Sequence, residues 1–233
     1  MTPTTLTSRI RSVANVYALA FTALTATLFA VPAVHAQTKA GSVEAGKSKA
    51  AMCIGCHGII GYQASFPEIY RVPMISGQSA KYIESSLNAY KSGERKHPTM
   101  GAISASLSEQ DMADLGAYYA QLAGAGAGPE VAAAKPNDKV GKLLEKGACI
   151  SCHGANFNKP NAANVPKLAG QHADYLSVAL KAYKTENNAK VGRGNAVMSN
   201  FAKQYSNAEI KEIAKYIGSL DGDMKVVPQN KFR

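Results

Sequence analysis

The chain has 233 residues, 46% of them hydrophobic and 18% charged, lacks tryptophan, and carries a formal net charge of +10. That balance excludes a wholly disordered chain, and the length suits one or two domains.

At the start, Arg9 and Arg11 precede an uncharged, largely apolar stretch from Val13 to Val31, and Val34-His35-Ala36 then offers a small-residue cleavage site. Residues 1–36 read as a secretory signal peptide cut after Ala36, with an uncleaved membrane anchor as the rival. The threonines inside the stretch and its A-x-A-like exit favour removal. No other segment is apolar over a spanning length. Removal takes away two arginines and leaves a mature chain of +8, expected in the periplasm, where thiols are oxidised unless something claims them.

A short predicted helix around Val43 to Ala51 leads into MCIGCHG at residues 52–58. The following IIGYQASFPEIYR, residues 59–71, is three residues longer than its counterpart after the second motif and is expected to serve a partner instead of the fold. Ile83, Leu87 and Tyr90 recur at i, i+4, i+7 and predict a helix with one buried face. KHPTMGA, carrying Met100, reads as a polar loop. A capping box from Ser108 to Asp111 then opens a helix with the stripe Leu115, Tyr119, Leu122. Residues 123–136 have a linker's Gly, Ala and Pro content. Beyond them come a short helix around Lys139 to Lys146, ACISCHG at 148–154, and a helix marked by Leu176, Leu180 and Tyr183. KVGRGNAVMSN, carrying Met198, reads as a second loop. The last helix opens on a capping box from Ser206 to Glu209 and runs the stripe Ile210, Ile213, Ile217, Leu220. No strand-like alternation of useful length is present.

The second run of elements repeats the first. Val72–Glu94 lies over Val165–Asn187 at a shift of 93 residues, sharing Val-Pro, Gly-Gln, Tyr, Leu and Ala-Tyr-Lys. The cysteine pairs match at a shift of 96, and the block from Leu107 matches that from Tyr205 at 98. The expected division is signal peptide 1–36, domain 37–122, linker 123–137 and domain 138–233. Each copy is a small helical unit with few aromatics, and such a core needs help to stand.

All four cysteines lie in the two C-x-x-C-H motifs. That motif attaches c-type haem: the two thiols add to the vinyl groups and the adjacent histidine turns under the ring to bind iron. Cys53 and Cys56 are therefore expected to bind one haem covalently, and Cys149 and Cys152 another, with His57 and His153 as axial ligands. Met100 lies 43 residues after His57 and Met198 lies 45 after His153, which makes these thioethers the expected second axial ligands. His97 competes for the first iron, but the second loop holds no histidine. Met52, Met74 and Met112 lack counterparts in the other copy and are expected to fill core gaps, and His172 is expected at the surface. Pro73 and Pro166 are candidates to present a rigid carbonyl to the free ring nitrogen of each histidine. Rival uses of the cysteines fit less well. Zinc would pair its motifs across about 15 to 20 residues, whereas 92 separate Cys56 from Cys149. A thioredoxin-like pair needs a βαβ context. Disulfides within each motif would close tiny loops and leave both histidines unexplained.

CIGCHG and CISCHG, the two VP-x-x-x-GQ-x-x-Y-[IL] blocks, PTM at 98–100 and LSEQDMADLGAYYAQL resemble the class I c-type cytochromes, and among them the tandem dihaem cytochromes c4. The resemblance implies an all-α fold of two tandem class I cytochrome c domains, related by a pseudo-twofold axis and each wrapped around a covalent haem. It implies an electron carrier, not an enzyme, passing single electrons from the quinol-oxidising branch to a terminal oxidase. The alternative is a dihaem electron-accepting subunit of a periplasmic dehydrogenase acting on a sulfur compound or an alcohol. Expected partners are a membrane oxidase or another redox protein with an acidic docking surface, with association at the membrane surface, and neither nucleic acid nor a small-molecule substrate. The two methionine loops differ in composition, so the two potentials are expected to differ.

Charge is unevenly divided: residues 37–122 hold 8 Lys+Arg against 7 Asp+Glu, and residues 123–233 hold 16 against 9. The second domain is therefore expected to dock, through lysines such as Lys181, Lys184 and Lys190, more than the first through Lys81, Lys91 and Lys96.

Overall fold

The structure, a computed structural model, describes residues 40–122 and 135–228. The expected signal peptide and residues 123–134 of the expected linker lie outside the described residues. The first half contains α1 (Val43–Lys49), α2 (Ala51–His57), α3 (Ala80–Ser92), α4 (Pro98–Ala105) and α5 (Glu109–Gln121). The second contains α6 (Asp138–Lys146), α7 (Cys149–His153), α8 (Ala173–Lys184), α9 (Ala196–Ala202) and α10 (Asn207–Gly218). Among the described residues the only strands are two-residue pieces: β1 (Gln63–Ala64), β2 (Tyr70–Arg71), β3 (Arg95–Lys96) and β4 (Gly192–Arg193).

Both predicted capping boxes form, Ser108 with Asp111 and Ser206 with Glu209, so α5 and α10 start where their first unpaired N–H groups find acceptors. These two helices organise the halves. α5 packs on α1 and α3, and α10 packs on α8 and α6. The α1–α5 crossing is close because Gly46 lacks a side chain: a Cβ there would lie 2.1 Å from the Asp114 carbonyl oxygen. Ile54, Ile83, Leu87, Met112, Leu115, Tyr118 and Tyr119 bury into one core, and Leu143, Leu144, Phe157, Leu176, Ile210, Ile213 and Ile217 into the other.

The two CxxCH segments and the two methionine segments are helical, where sequence reading expected loops for the methionines. His97 caps α4 by accepting from the Met100 N–H at 3.4 Å, and Asn195 caps α9 by accepting from the Met198 N–H at 3.0 Å. Met100 and Met198 are thus each the third residue of a capped helix, a local equivalence that the dissimilar loop sequences hide. Met112 is fully buried as expected, whereas Met52 is 51% exposed, so it is not a core filler. Met52 sits on α2 beside Cys53, at a cavity wall. Met74 is half-buried between the halves, and His172 is half-buried where α8 begins, not free at the surface.

Residues 59–71 also depart from expectation, because they form a hairpin of β1 and β2 that fastens the halves together. Arg71 Nε donates to Asp174 at 2.9 Å, Glu68 pairs with Lys181, and Tyr70 packs against Tyr175. The halves meet through reciprocal contacts as well. Gln78 Oε1 accepts from the Lys167 N–H and its Nε2 donates to the Lys167 carbonyl, both at 2.9 Å. Gln171 does the same to Met74, at 3.1 and 2.9 Å. β3 and β4, one from each half, pair antiparallel. Such exchange of equivalent contacts is what a pseudo-twofold relation between two similar halves requires.

One difference between the halves has a measurable consequence. Lys49 of α1 bridges Asp111 and Asp114 of α5, each at 2.6 Å, and the Ser42 N–H donates to Asp114 at 2.8 Å. The second half packs α6 on α10 with Val140, Leu143 and Leu144 and, among the described residues, has no such carboxylate bridge. The Lys49 hydrogen bond, with help from Ser108, lowers the Asp111 carboxyl from 3.8 to about 2. Burial pushes Asp114 up, but Lys49, the Ser42 N–H and Gln110 outweigh it and leave the group below its ordinary value. Depressed folded-state values mean that this stabilisation is complete above about pH 4 and is lost as pH falls toward about 2. Hydrogen exchange followed down that interval should show α1 amides losing protection while α6 amides keep theirs. Asp111→Asn should flatten the response of α1. Equal loss in both helices would remove the Lys49 bridge as its cause.

Candidate functional site

One cavity of about 780 Å³ runs through the interior of both halves. α2 supplies Cys53, Cys56 and His57 to its wall, and α7 supplies Cys149, Cys152 and His153. Met100 from α4 and Met198 from α9 line it too, as do Pro73 and Pro166. All ten residues singled out from sequence therefore border a single space, five from each half.

The histidines are oriented identically. His57 Nδ1 donates to the Pro73 carbonyl at 2.8 Å, and His153 Nδ1 donates to the Pro166 carbonyl at 3.0 Å. A carbonyl can only accept, so the proton sits on Nδ1 and each Nε2 keeps its lone pair for a metal. Burial lowers both imidazoles below their ordinary value despite the carbonyl contact, which keeps that lone pair available at neutral pH. None of the four cysteines is in a disulfide. Burial pushes Cys53 and Cys149 up, the reverse of the lowered thiol of a redox-active C-x-x-C. Among the described residues no three His, Cys, Asp or Glu side chains gather where they could hold an ion by themselves. His97, the competing ligand, has both ring nitrogens engaged, Nδ1 by the Met100 N–H and Nε2 by the Tyr70 hydroxyl at 3.1 Å.

Sequence reasoning missed several residues at this site. Gln78 and Gln171 were visible only as a shared Gly-Gln, and the structure shows each gripping the peptide that follows the other half's proline. Arg95 and Arg193 also line the cavity, with Tyr90 and Tyr183 beneath them at 4.6 and 5.3 Å. The signal for them was present: each arginine stands five residues before its methionine. Tyr90 and Tyr183 were read as core positions and instead serve as this platform. Tyr175 accepts from both guanidiniums. Burial pushes its phenol up, but Arg193 and Arg95 prevail and hold it at about 8.

The donor set fits a covalently held haem: two cysteine sulfurs and one pre-oriented imidazole per half, facing apolar walls that include Leu87 and Leu115 on one side and Leu176 and Ile217 on the other. Two such arrangements in one predominantly helical chain define the class as a c-type cytochrome with two haem sites. The family model described as cytochrome c matches this chain twice, over residues 43–123 and 138–221. A cytochrome c4 of Stutzerimonas stutzeri is 32% identical over 194 residues, covering 78% of this chain and 90% of that protein. The crystal structure of reduced recombinant cytochrome c4 from Pseudomonas stutzeri superposes with a TM-score of 0.60 at 30% identity, covering 78% of this chain and all of that one. A thiosulfate dehydrogenase electron acceptor of Stutzerimonas stutzeri is 29% identical over 191 residues, covering 76% of this chain and 83% of that protein. The chain belongs to the cytochrome c family, in its dihaem cytochrome c4 branch. It carries covalently bound haem c in each of its two cytochrome c domains and works as an electron carrier, not as an enzyme.

Proposed function

We propose that Cys53, Cys56, His57 and Met100 hold one haem, that Cys149, Cys152, His153 and Met198 hold the other, and that the chain relays single electrons through this pair between respiratory complexes. The observation that supports the relay is the continuity of the cavity, which places both donor sets on one space shared by two clamped halves. Each haem, when bound, supplies a one-electron ferric/ferrous couple. The protein's part is to fix the imidazoles through Pro73 and Pro166, to exclude water with apolar walls and to hold the two sites in register through Gln78 and Gln171. The route proposed runs from the quinol-oxidising branch to a terminal oxidase in the periplasm, after removal of residues 1–36. No helix among the described residues is long and apolar enough to cross a membrane. A second reading, acceptor for a dehydrogenase, is favoured by the relative named as a thiosulfate dehydrogenase electron acceptor.

Docking is proposed to use the basic second half, but of the three lysines that sequence alone suggested there only Lys190 is available for it. Lys181 is paired with Glu68, Lys184 donates to the Tyr205 carbonyl, and in the first half Lys81, Lys91 and Lys96 are engaged by Glu84, Leu107 and Asn188. Lys142, Lys159 and Lys190 are exposed, with no side-chain hydrogen bond or ion pair among the described residues, and Lys47 is the matching lysine of the first half. Reversing all three to Glu should slow the second-order reaction with a membrane oxidase roughly tenfold at low salt, with the loss shrinking as salt is raised. Each single reversal should exceed Lys47→Glu. Equal effects, or a rate indifferent to salt, reduce the asymmetry to surface composition. The same series run with thiosulfate dehydrogenase as donor separates the two readings, because only the physiological partner should show fast, salt-sensitive transfer.

A further inference from the structure

Gln78 and Gln171 do more than hold the halves together. They are 5% and 4% exposed, and each side-chain amide has all four of its hydrogen-bonding positions filled. Gln78 Oε1 accepts from the N–H groups of Ser79 and Lys167, both at 2.9 Å, while its Nε2 donates to the Lys167 carbonyl at 2.9 Å and to the Met224 thioether at 3.3 Å. Gln171 Oε1 accepts from the N–H groups of His172 at 3.0 Å and Met74 at 3.1 Å, while its Nε2 donates to the Met74 carbonyl at 2.9 Å and to the same thioether at 3.6 Å. Backbone N–H groups can only donate, so the oxygen of each amide must face them and neither amide can flip. Met224, itself buried, thus sits between two glutamines from opposite halves, and Lys225 beside it donates its N–H to the Ser76 carbonyl at 3.1 Å.

The Met74 N–H belongs to the same peptide unit as the Pro73 carbonyl, and the Lys167 N–H to the same unit as the Pro166 carbonyl. Those two carbonyls take the Nδ1 protons of His57 and His153. A peptide is a plane joined by resonance, so an acceptor on its N–H pushes electron density onto its oxygen. One line of hydrogen bonds therefore runs from His57 through the peptide of Pro73 and Met74 to Gln171, across the Met224 sulfur to Gln78, and through the peptide of Pro166 and Lys167 to His153. Each end is the imidazole of one half, and each is reached by the glutamine of the other.

We propose that Gln171 tunes the first haem and Gln78 the second, each across the domain boundary through the peptide that orients the opposite histidine, and that Met224 links the two amides. This rests on the reading that His57 and His153 ligate the two irons. Bonds in such a chain polarise one another by roughly 10–30% at each step. A stronger carbonyl acceptor makes the imidazole a more basic ligand. A more basic ligand stabilises ferric over ferrous iron, so each glutamine lowers the potential of the haem in the other half. The attenuation also sets the range. Gln171 is two bonds from His57 but four from His153, with a weak thioether acceptor between, so only the opposite haem responds appreciably to either glutamine. Acting through the histidines, both glutamines are positioning residues.

The test is potentiometry and proton NMR on the purified dihaem protein and its Gln171→Met and Gln78→Met variants, which keep the side-chain length and lose the amide. Gln171→Met should shift the first haem about threefold toward ferrous, about 28 mV at 59 mV per decade for a one-electron couple, and leave the second close to its wild-type value. Gln78→Met should do the reverse. In the reduced, diamagnetic protein the Nδ1–H resonance of the opposite histidine should move upfield. A variant that moves the haem of its own half, or both haems equally, overturns the assignment and reduces the glutamines to clamps. Potentials and histidine resonances unmoved with two haems bound overturn it as well. Met224→Leu, which preserves volume, decides the matter where a glutamine variant fails to take up both haems. Both Nδ1–H resonances should then move upfield together, and neither moved overturns the proposal, since the amides are indifferent to the acceptor that joins them. Wild-type His57 or His153 ring protons without the ring-current shift of an axial ligand overturn the site reading itself, which separates that failure from this one.

Discussion

Cys149→Ala combined with Cys152→Ala should halve the haem content and unfold the second half, while the first half stays loaded. The reason lies in the double duty of the core. Leu176, Ile213, Ala214 and Ile217 belong to the second half's buried cluster and to the wall of the cavity at once. Without a covalently held ring against them, that wall faces water. Leaving on the order of 300 Å² of apolar wall wet forfeits roughly 7 kcal/mol at about 25 cal/mol per Å². The whole stability of a domain is roughly 5–15 kcal/mol, so this loss alone is decisive. Haem content by pyridine haemochrome should fall to half. Near-ultraviolet circular dichroism should lose the second half's tertiary signal, and exchange protection should vanish from α6 and α10 but persist in α1 and α5. A second half that keeps sharp tertiary signals with no haem attached would sink the idea that the ring completes its core.

How much of this was legible in the sequence depends on the distance over which each feature is specified. The C-x-x-C-H motifs and the capping boxes at Ser108 and Ser206 are written within a few residues, and the structure builds both boxes. The helices carrying Met100 and Met198 were misread as loops because they are only 8 and 7 residues long and their caps are a histidine and an asparagine in polar surroundings. Pro98 at the first helical turn was the available clue in one of them. The hairpin of residues 59–71 could not be read locally at all, since its meaning lies in Asp174, Tyr175 and Lys181, about a hundred residues away. Arg95 and Arg193 showed in the sequence only as a shared spacing before each methionine: a charge count treats every arginine as solvated, and it is their cross-strand pairing that shows two cations facing one cavity.

Met198→Ala should leave the fold intact and open one iron to added carbon monoxide. The methionine is the third residue of a helix whose cap is Asn195, and alanine is at least as good a helix former, so the change removes the thioether without removing the segment that carries it. The potential of that haem should drop by on the order of 0.1 V or more, since axial ligand choice spans roughly 0.8 V and a thioether favours ferrous iron. In the ferric protein the absorption band due to sulfur ligation should fall to half in Met198→Ala or Met100→Ala and vanish in the double variant. His97→Ala provides the contrast. Its ring nitrogens are taken by the Met100 N–H and the Tyr70 hydroxyl, so losing it weakens the α4 cap but removes no ligand, and the band should remain. A band undiminished in the double methionine variant, or lost on changing His97 alone with α4 still formed, would move the sixth ligand elsewhere.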